Sequence, residues 1–278
     1  MLQIVIPAFN EEARLPRTLR ELRRHVVAHR GELGRVEVLV VDNASTDGTA
    51  EVARAADSTA MPVRVVRCQQ RGKGAAVRAG LLASDAALVC FMDADGATAF
   101  DALERSWARV MGGADVVIAS RGLAESTTTA RHCKTRSRGA AAYRRLAHRM
   151  LPGISDTQCG FKLFRGDLVR SVVADLRTAG FSFDVELLVL LQAAGARIEE
   201  LPVTWVDVPG STFVPARHGA SAFAELGRIA WRNRRSTVSG KVAAGLRAPL
   251  PAPAALPAAV VLPFIVAATA DLHDRGRR

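Results

Sequence analysis

Residues 36–46 read VEVLVVDNAST. The run to Val41 is almost wholly apolar and rich in β-branched residues, so a strand made from it needs cover on both faces, as in a parallel sheet. It stops at Asp42-Asn43-Ala44-Ser45, residue types that turn a chain and cap a following helix. Similar runs occur at Gln3–Ile6, Val63–Val66, Ala87–Met92 and Asp115–Ala119. Most are separated by helical stretches: Glu11–Arg30, Thr46–Ala56, Lys73–Ala83 and Phe100–Met111. Buried strands alternating with helices predict an α/β, doubly wound domain with a mostly parallel sheet flanked by helices.

The second half is less regular. Arg138–Leu151 and Ala220–Arg235 read as amphipathic helices, Asp184–Ala194 as a buried helix and Ile198–Val206 as one further strand. From Lys241 the composition shifts to Pro and Ala, which predicts a single catalytic domain over residues 1–240 and a tail over 241–278. Ala248–Ala270 carries no charge, but Pro249, Pro251, Pro253, Pro257 and Pro263 interrupt it. Prolines this dense break a helix, so a tail able to touch lipid is expected rather than a spanning segment. At the other end Met1-Leu2-Gln3 leads straight into the first apolar run, unlike a signal peptide.

With 49% hydrophobic and 23% charged residues, the 278-residue chain is neither disordered, collagen-like nor disulfide-stapled. Cys68, Cys90, Cys133 and Cys159 are far apart and form no CxxC pair, which argues against a zinc ribbon and for a reduced, cytoplasmic setting. A formal charge of +11 asks for an anionic partner. Nucleic acid fits poorly: aromatic residues are 5% of the chain, and none interleaves the arginines as a stacking platform.

In open parallel sheets, ligands bind beyond the carboxyl ends of the strands. The residues there are Pro7-Ala8-Phe9-Asn10-Glu11-Glu12, Asp42-Asn43-Ala44-Ser45, Asp93-Ala94-Asp95-Gly96 and Ser120-Arg121. Each signal has a plainer reading. Asp42 and Ser45-Thr46-Asp47 suit a turn and cap, and Asp93-Ala94-Asp95 suits a tight turn as well as a pair of hard oxygen ligands bridging a divalent metal to a diphosphate. Gln70-Arg71-Gly72-Lys73-Gly74 opens a helix, where glycines let a backbone approach a phosphate, although the P-loop spacing is absent.

Together, IVIPAFNEE, VVDNASTDGT, RGKGAAVRAG and FMDADGAT, in this order, resemble the family 2 glycosyltransferases of GT-A fold. Ala119-Ser120-Arg121, DTQCGFKLF (156–164), FSFDVELL (181–188) and LPVTWVDVPGS (201–211) resemble the branch of dolichyl-phosphate glucosyltransferases and bacterial polyprenyl-phosphate transferases. The resemblance implies inverting transfer of a hexose, glucose in this branch, from a UDP-sugar to a polyprenyl phosphate. It places Pro7, Phe9, Glu11, Asp42, Lys73, Asp93, Ala94, Asp95 and Gln158 around the nucleotide sugar. Asp93 and Asp95 would hold Mg or Mn, with Asp95 the direct ligand. Arg121, with Arg131 or Arg136, would take the acceptor phosphate. Asp156, Gln158 and the segment to Lys162 would border the sugar, with Asp184 or Glu186 beside it, making Asp156, Asp184 and Arg121 the implied catalytic residues. Ala97 stands where mannosyl-transferring relatives often carry glutamine, and Thr212 where the family has the lysine of a GSK segment. The family's usual transmembrane anchors are missing or reduced to the tail. The rival within the enzymes is a soluble transferase acting on a small molecule.

Two basic stretches suit a membrane surface on the inner, cytoplasmic face. One has Arg144, Arg145 and Arg149 beside the stripe Tyr143, Leu146, Ala147, Met150; the other has Arg228 and Arg232 beside Phe223, Leu226, Ile229, Ala230. An ordinary surface helix packed on the core is the plainer alternative. His25, His29 and His148 lie among charges and are expected to be solvated. Trp107 is expected to pack, Trp205 to pack or bind, and Cys159 to be structural.

Overall fold

The five apolar runs become five parallel strands. The computed structural model describes residues 1–129, 137–208 and 215–236. Strand β1 (Leu2–Ala8) is followed by α1 (Leu15–Ala28), the short α2 (Arg30–Leu33), β2 (Val36–Asp42), α3 (Thr49–Ala55), β3 (Val63–Arg67), α4 (Lys73–Ala83), β4 (Leu88–Met92), α5 (Ala102–Met111) and β5 (Val116–Ser120). Then come β6 (Thr127–Thr129), α6 (Ser137–Met150), β7 (Phe161–Arg165), α7 (Gly166–Val173), α8 (Phe183–Ala193), β8 (Ile198–Pro202), β9 (Thr204–Val206) and α9 (Pro215–Ser236).

The main sheet has the order β3-β2-β1-β4-β7-β5-β8. All its pairings are parallel except those of β7, which runs antiparallel to β4 on one side and β5 on the other. Strand β7 is not legible in sequence because Phe161-Lys162-Leu163-Phe164-Arg165 carries two cations, yet Lys162 is fully buried. The expected strand over Ile198–Val206 is two: β8 joins the main sheet, and after Val203 the chain crosses to pair β9 with β6. The first expected helix, Glu11–Arg30, begins four residues late at Leu15, with Pro16 in its first turn, and breaks near His29.

One sheet face packs on α1, α3 and α5, burying Leu15, Leu19, Leu22, Leu103 and Trp107 with β-strand residues such as Ile4, Val38 and Leu163. The other packs on α4, α6, α7, α8 and α9, around Phe91, Phe164, Phe183, Leu187 and Leu226. The stripes expected to meet lipid are largely spent here. Tyr143, Ala147, Leu226 and Ile229 are buried in this second core, so α6 and α9 are surface helices packed on α8, with Phe223 and Trp231 exposed. Among the described residues no helix is long and apolar enough to cross a membrane, and the tail from residue 241 lies outside them.

Helix α4 lies close on the sheet because Gly80 has no side chain. A Cβ there would meet Val5 Cγ1 at 2.3 Å and Val41 Cγ2 at 2.8 Å. On an exposed helix, Gly→Ala is worth up to about 1 kcal/mol. Overpacking a core costs about 1–3 kcal/mol, so the clash wins here. Gly80→Ala is expected to lower the melting temperature in a thermal denaturation series, and an unchanged or raised value would contradict this close packing.

Candidate active site

Since β1, β2, β4 and β5 end on one edge, the residues that follow them meet there, and the antiparallel β7 starts at that same edge. The result is a cleft of about 670 Å³. Pro7, Phe9, Glu11, Lys73, Asp93, Ala94, Asp95, Arg121, Gln158 and Asp184 all line it. Asp42 and Asp156 do not; Arg131 and Arg136, like Thr212, lie outside the described residues. Asn43, one of the strand-end residues, and Trp205, expected to pack or bind, also line the cleft, as do Arg14, Thr98, Phe181 and Asp207, which were not assigned there from sequence.

Much of the conspicuous sequence at this edge joins loops to one another. Asn10, at φ 55, accepts from Thr46 N through Oδ1 at 2.9 Å and donates its own N–H to Ser45 Oγ at 3.1 Å. Glu12 N–H donates to Asp47 at 3.2 Å, Gly48 N–H to Glu12 at 3.0 Å, and Glu11 N–H to Thr49 Oγ1 at 2.8 Å. Asp42 accepts from Ser45 N at 3.1 Å, a turn-forming role, while Asn43 reaches across to Gln70 O at 2.6 Å and accepts from Gly72 N at 2.8 Å.

The glycines around Lys73 serve a different purpose from the one expected. A Cβ on Gly72 or Gly74 would stand 2.2 Å from Ala179 O and 2.3 Å from Thr178 O, and the Gly74 and Ala75 amides donate to Ala179 O at 2.8 and 3.3 Å. These glycines admit another protein backbone, and it occupies two amides of the α4 N-terminus that an anion would have used. That loop is held from behind: Glu186 accepts from Arg177 N and Thr178 N and pairs with Arg232 at 2.7 Å, while Glu225 accepts from Ser182 N at 3.1 Å. Glu186 therefore supports the loop instead of facing the cleft.

Charges alternate across the cleft floor. Lys162 Nζ donates to Asp184 at 2.5 Å and to Cys159 O at 2.7 Å, and sits 5.4 Å from the centre of the Phe91 ring. Lys73 Nζ bridges to Asp93 at 2.7 Å and lies 5.5 Å from the centre of the same ring. Burial works against the Lys73 ammonium, but Asp93 and Asp184 outweigh it and hold its pKa above the ordinary value. Burial pushes the Asp184 carboxyl up, against the opposing pull of Lys162 and Lys73. Asp95 is raised too, first by burial and then by repulsion from Asp93. Glu11 is raised by burial despite its ion pair with Arg14. Gly160 makes the crowding possible, since a Cβ there would lie 1.9 Å from Asp93 Oδ2.

At the other wall Asp156 grips Arg121. Its carboxylate accepts from Arg121 Nε at 2.6 Å, Nη2 at 3.1 Å and the backbone N at 3.1 Å, and the guanidinium lies 5.3 Å from the Trp205 ring centre. Burial opposes ionisation of Asp156, but Arg121 outweighs it and holds the carboxyl below the usual range. Trp205 is carried by β9, which is tied to the loop after the aspartates through Ala99 N to Thr204 O at 3.0 Å and Val206 N to Ala97 O at 2.9 Å. Trp107 packs in the core, and Cys159 is buried with its thiol pushed up to about 11, too high for a nucleophile at neutral pH.

The family model of glycosyl transferase family 2 matches residues 3–173, which hold β1 through β7 and both aspartates. The chain belongs to glycosyl transferase family 2. This glycosyltransferase is 33% identical over 229 residues to the dolichyl-phosphate beta-glucosyltransferase of Homo sapiens, an alignment covering 77% of this chain and 70% of that one. It is 34% identical over 226 residues to the enzyme of the same name from Drosophila melanogaster, covering 77% and 69%. Glucosyl-3-phosphoglycerate synthase from Mycobacterium tuberculosis, crystallised with Mn2+, UDP-glucose and phosphoglyceric acid, shares the fold. Its TM-score is 0.58 at 18% identity, covering 82% of this chain and 79% of that chain. The mostly parallel sheet flanked by helices is thus the GT-A architecture that the sequence resemblance implied.

Because Lys162 and Asp184 are both buried, removing one strands the other. Lys162→Met is expected to destabilise the glycosyltransferase by about 3–5 kcal/mol, whereas the double replacement Lys162→Met with Asp184→Leu should recover most of that loss. Urea denaturation of both variants measures this, and equal losses in the two would deny that the pair is coupled.

Proposed function

We propose that the enzyme transfers a hexose, glucose, from UDP-glucose to a polyprenyl phosphate, dolichyl or undecaprenyl, with inversion and with a divalent metal. The observation that carries this reading is one cleft holding two anion-handling walls: Asp93 and Asp95 beside Lys73 on one side, and Arg121 clamped by Asp156 and faced by Trp205 on the other. A donor diphosphate suits the first and an acceptor phosphate the second. The relatives named dolichyl-phosphate beta-glucosyltransferase support glucose and a lipid phosphate as the substrates.

The residues present suit Mg or Mn. Asp93 and Asp95 offer hard oxygens, and the repulsion from Asp93 that adds to burial in raising Asp95 is what a cation would relieve. Such a metal, when bound, supplies Lewis-acid neutralisation of charge on the departing diphosphate. Pro7 and Phe9, with Asn43 at the end of β2, would flank the nucleoside, and Asp42 would fix the turn beside them; Glu11 would orient Arg14, and Lys73 would add a positive charge near the diphosphate. Ala94 would bring backbone close to the donor, and Gln158 would face the sugar.

The nucleophile requires little help with its proton. A phosphate monoester has a second pKa near 6, so it is largely ionised at pH 7. Both carboxylates among the implied catalytic residues are engaged with cations, Asp156 with Arg121 and Asp184 with Lys162, which suits an acceptor that arrives ionised and needs no general base. Arg121 would position that phosphate oxygen for attack at the anomeric carbon, with Asp156 fixing the guanidinium and Asp184 directing the sugar hydroxyls. Arg131 and Arg136 would add charge at the acceptor mouth. The exposed Arg144, Arg145, Arg149 and Arg228, with exposed Phe223 and Trp231, would seat the enzyme on the inner, cytoplasmic membrane face, where the Pro/Ala tail would add contact.

Transfer of radiolabelled glucose from UDP-glucose into an undecaprenyl-phosphate organic phase tests this directly. Label transfer is expected to vanish with EDTA and to fall at least ~100-fold in Asp95→Ala. Binding of UDP-glucose without labelled lipid would instead direct the search to soluble acceptors. Arg121→Lys, which keeps the charge but loses the two-pronged geometry, should raise the KM for lipid phosphate about tenfold and leave that for UDP-glucose nearly unchanged. An equal rise in both would remove Arg121 from the acceptor side.

A further inference from the structure

On the α1–α5 side of the sheet, away from the residues lining the cleft, two histidines and a glutamate converge. His25 stands in the last turn of α1, His29 caps the helix one turn later, and Glu104 stands in the first turn of α5. Their charged neighbours in sequence predict both histidines in solvent. Instead the His25 side chain is only 17% exposed, and its Nε2 lies 2.5 Å from Glu104 Oε1; His29 Nδ1 is 3.5 Å from the same oxygen. One ligand atom from each of the three residues lies within 4.8 Å of the others. The imidazole rings stack at 4.2 Å, and Phe100 walls off His25 at 5.8 Å.

Each imidazole offers one N–H: His25 Nε2 donates to Glu104 Oε1 and His29 Nδ1 to His25 O, which leaves Glu104 Oε2 buried with no hydrogen-bond partner. A cation held by the three ligand atoms would replace both hydrogen bonds, and a carboxylate binding it through both oxygens would give Oε2 a partner as well. Two imidazole nitrogens and one carboxylate oxygen form a donor set of the zinc type, unlike the all-oxygen set that Mg prefers.

We propose that His25, His29 and Glu104 form a second cation site that takes one zinc-like transition-metal ion, separate from the Asp93–Asp95 pair and independent of the donor and acceptor reading above. With metal–ligand bonds of about 2.0–2.1 Å, tetrahedral ligand atoms stand about 3.3 Å apart. The His29–Glu104 separation already suits that, and the closer His25–Glu104 contact has to open by roughly 1 Å. His29 would exchange its Nδ1 contact with His25 O, 2.9 Å away, for the metal, and its 39% exposed side chain leaves room for ion entry and a fourth, water ligand. The site would clip α1 to α5. Helix α1 touches the aspartate loop through Thr18 Oγ1, which donates to Ala94 O at 2.8 Å, and α5 follows directly from that loop.

The test uses the EDTA-stripped full chain carrying Asp95→Ala, so that metal binding at the cleft does not interfere. Calorimetric titration with zinc is expected to show one equivalent bound. Cobalt should give the visible absorption of a four-coordinate nitrogen–oxygen site, and zinc should raise the melting temperature. Adding His25→Ala, His29→Ala or Glu104→Gln should each weaken zinc binding at least 10-fold. His29 is partly exposed, so its variant keeps the fold and remains informative if His25→Ala unfolds. Absence of zinc binding in the Asp95→Ala chain would overturn the proposal, as would binding unchanged by His29→Ala and Glu104→Gln.

Discussion

A lysine with no exposed surface in the middle of a sheet constrains everything near it. Lys162 sits on β7, its ammonium beneath the cleft, and an unpaired charge there would be very costly. Asp184 and Cys159 O satisfy it, so α8 must bring its first turn against β7, and the turn before β7 must point its carbonyl inward. Phe91 lies under both Lys162 and Lys73, and Phe183 meets Phe91 edge-on with ring centres 5.7 Å apart. Two strands and two helices are thus registered around one charge, and the cleft floor inherits its alternating pattern from that arrangement.

The reversed direction of β7 is what makes a transferase cleft from an ordinary parallel sheet. A parallel strand would present its carboxyl end here; β7 presents its amino end, with Gln158 and Gly160 beside Asp93 and Asp156 beneath Arg121. The approach is so close that a Cβ at 160 would displace the Asp93 carboxylate, whereas glycines 72 and 74 admit a neighbouring backbone. In this site, small residues mark where main chains touch, and the groups offered to ligands come from the intervening charged and aromatic side chains.

The electrostatics follow from burial. Glu11, Asp95 and Asp184 are all pushed up by desolvation, whereas Asp156, held by a two-pronged guanidinium, is pushed down. Carboxylates crowded at one wall favour a cation, and a fixed guanidinium at the other favours an anion. The proposed metal-assisted transfer between two phosphorylated partners would use both tendencies in one cleft. The basic surfaces of α6 and α9 extend the second tendency outward, although their apolar stripes serve the core first.

Local sequence determined the five parallel strands, because an apolar, β-branched run ending in turn formers reads the same way in any context. It also determined which residues follow those strands, and hence part of the cleft lining: Pro7, Phe9, Glu11, Lys73, Asp93, Asp95 and Arg121. Only the tertiary structure decided the rest. Strand β7 was hidden by Lys162 and Arg165, whose burial depends on partners distant in sequence, Asp184 for one and Asp115 for the other. Trp205 and Arg14 reach the cleft through turns whose directions are set by packing. Asp42 and Asp156, plausible ligands by position, are engaged with a backbone amide and with Arg121. The histidines of α1 looked solvated because helical spacing shows a residue's own helix but not the glutamate that α5 brings against it. Periodicity is a local property of the chain, whereas the partner of a buried charge is chosen by where distant segments come to rest.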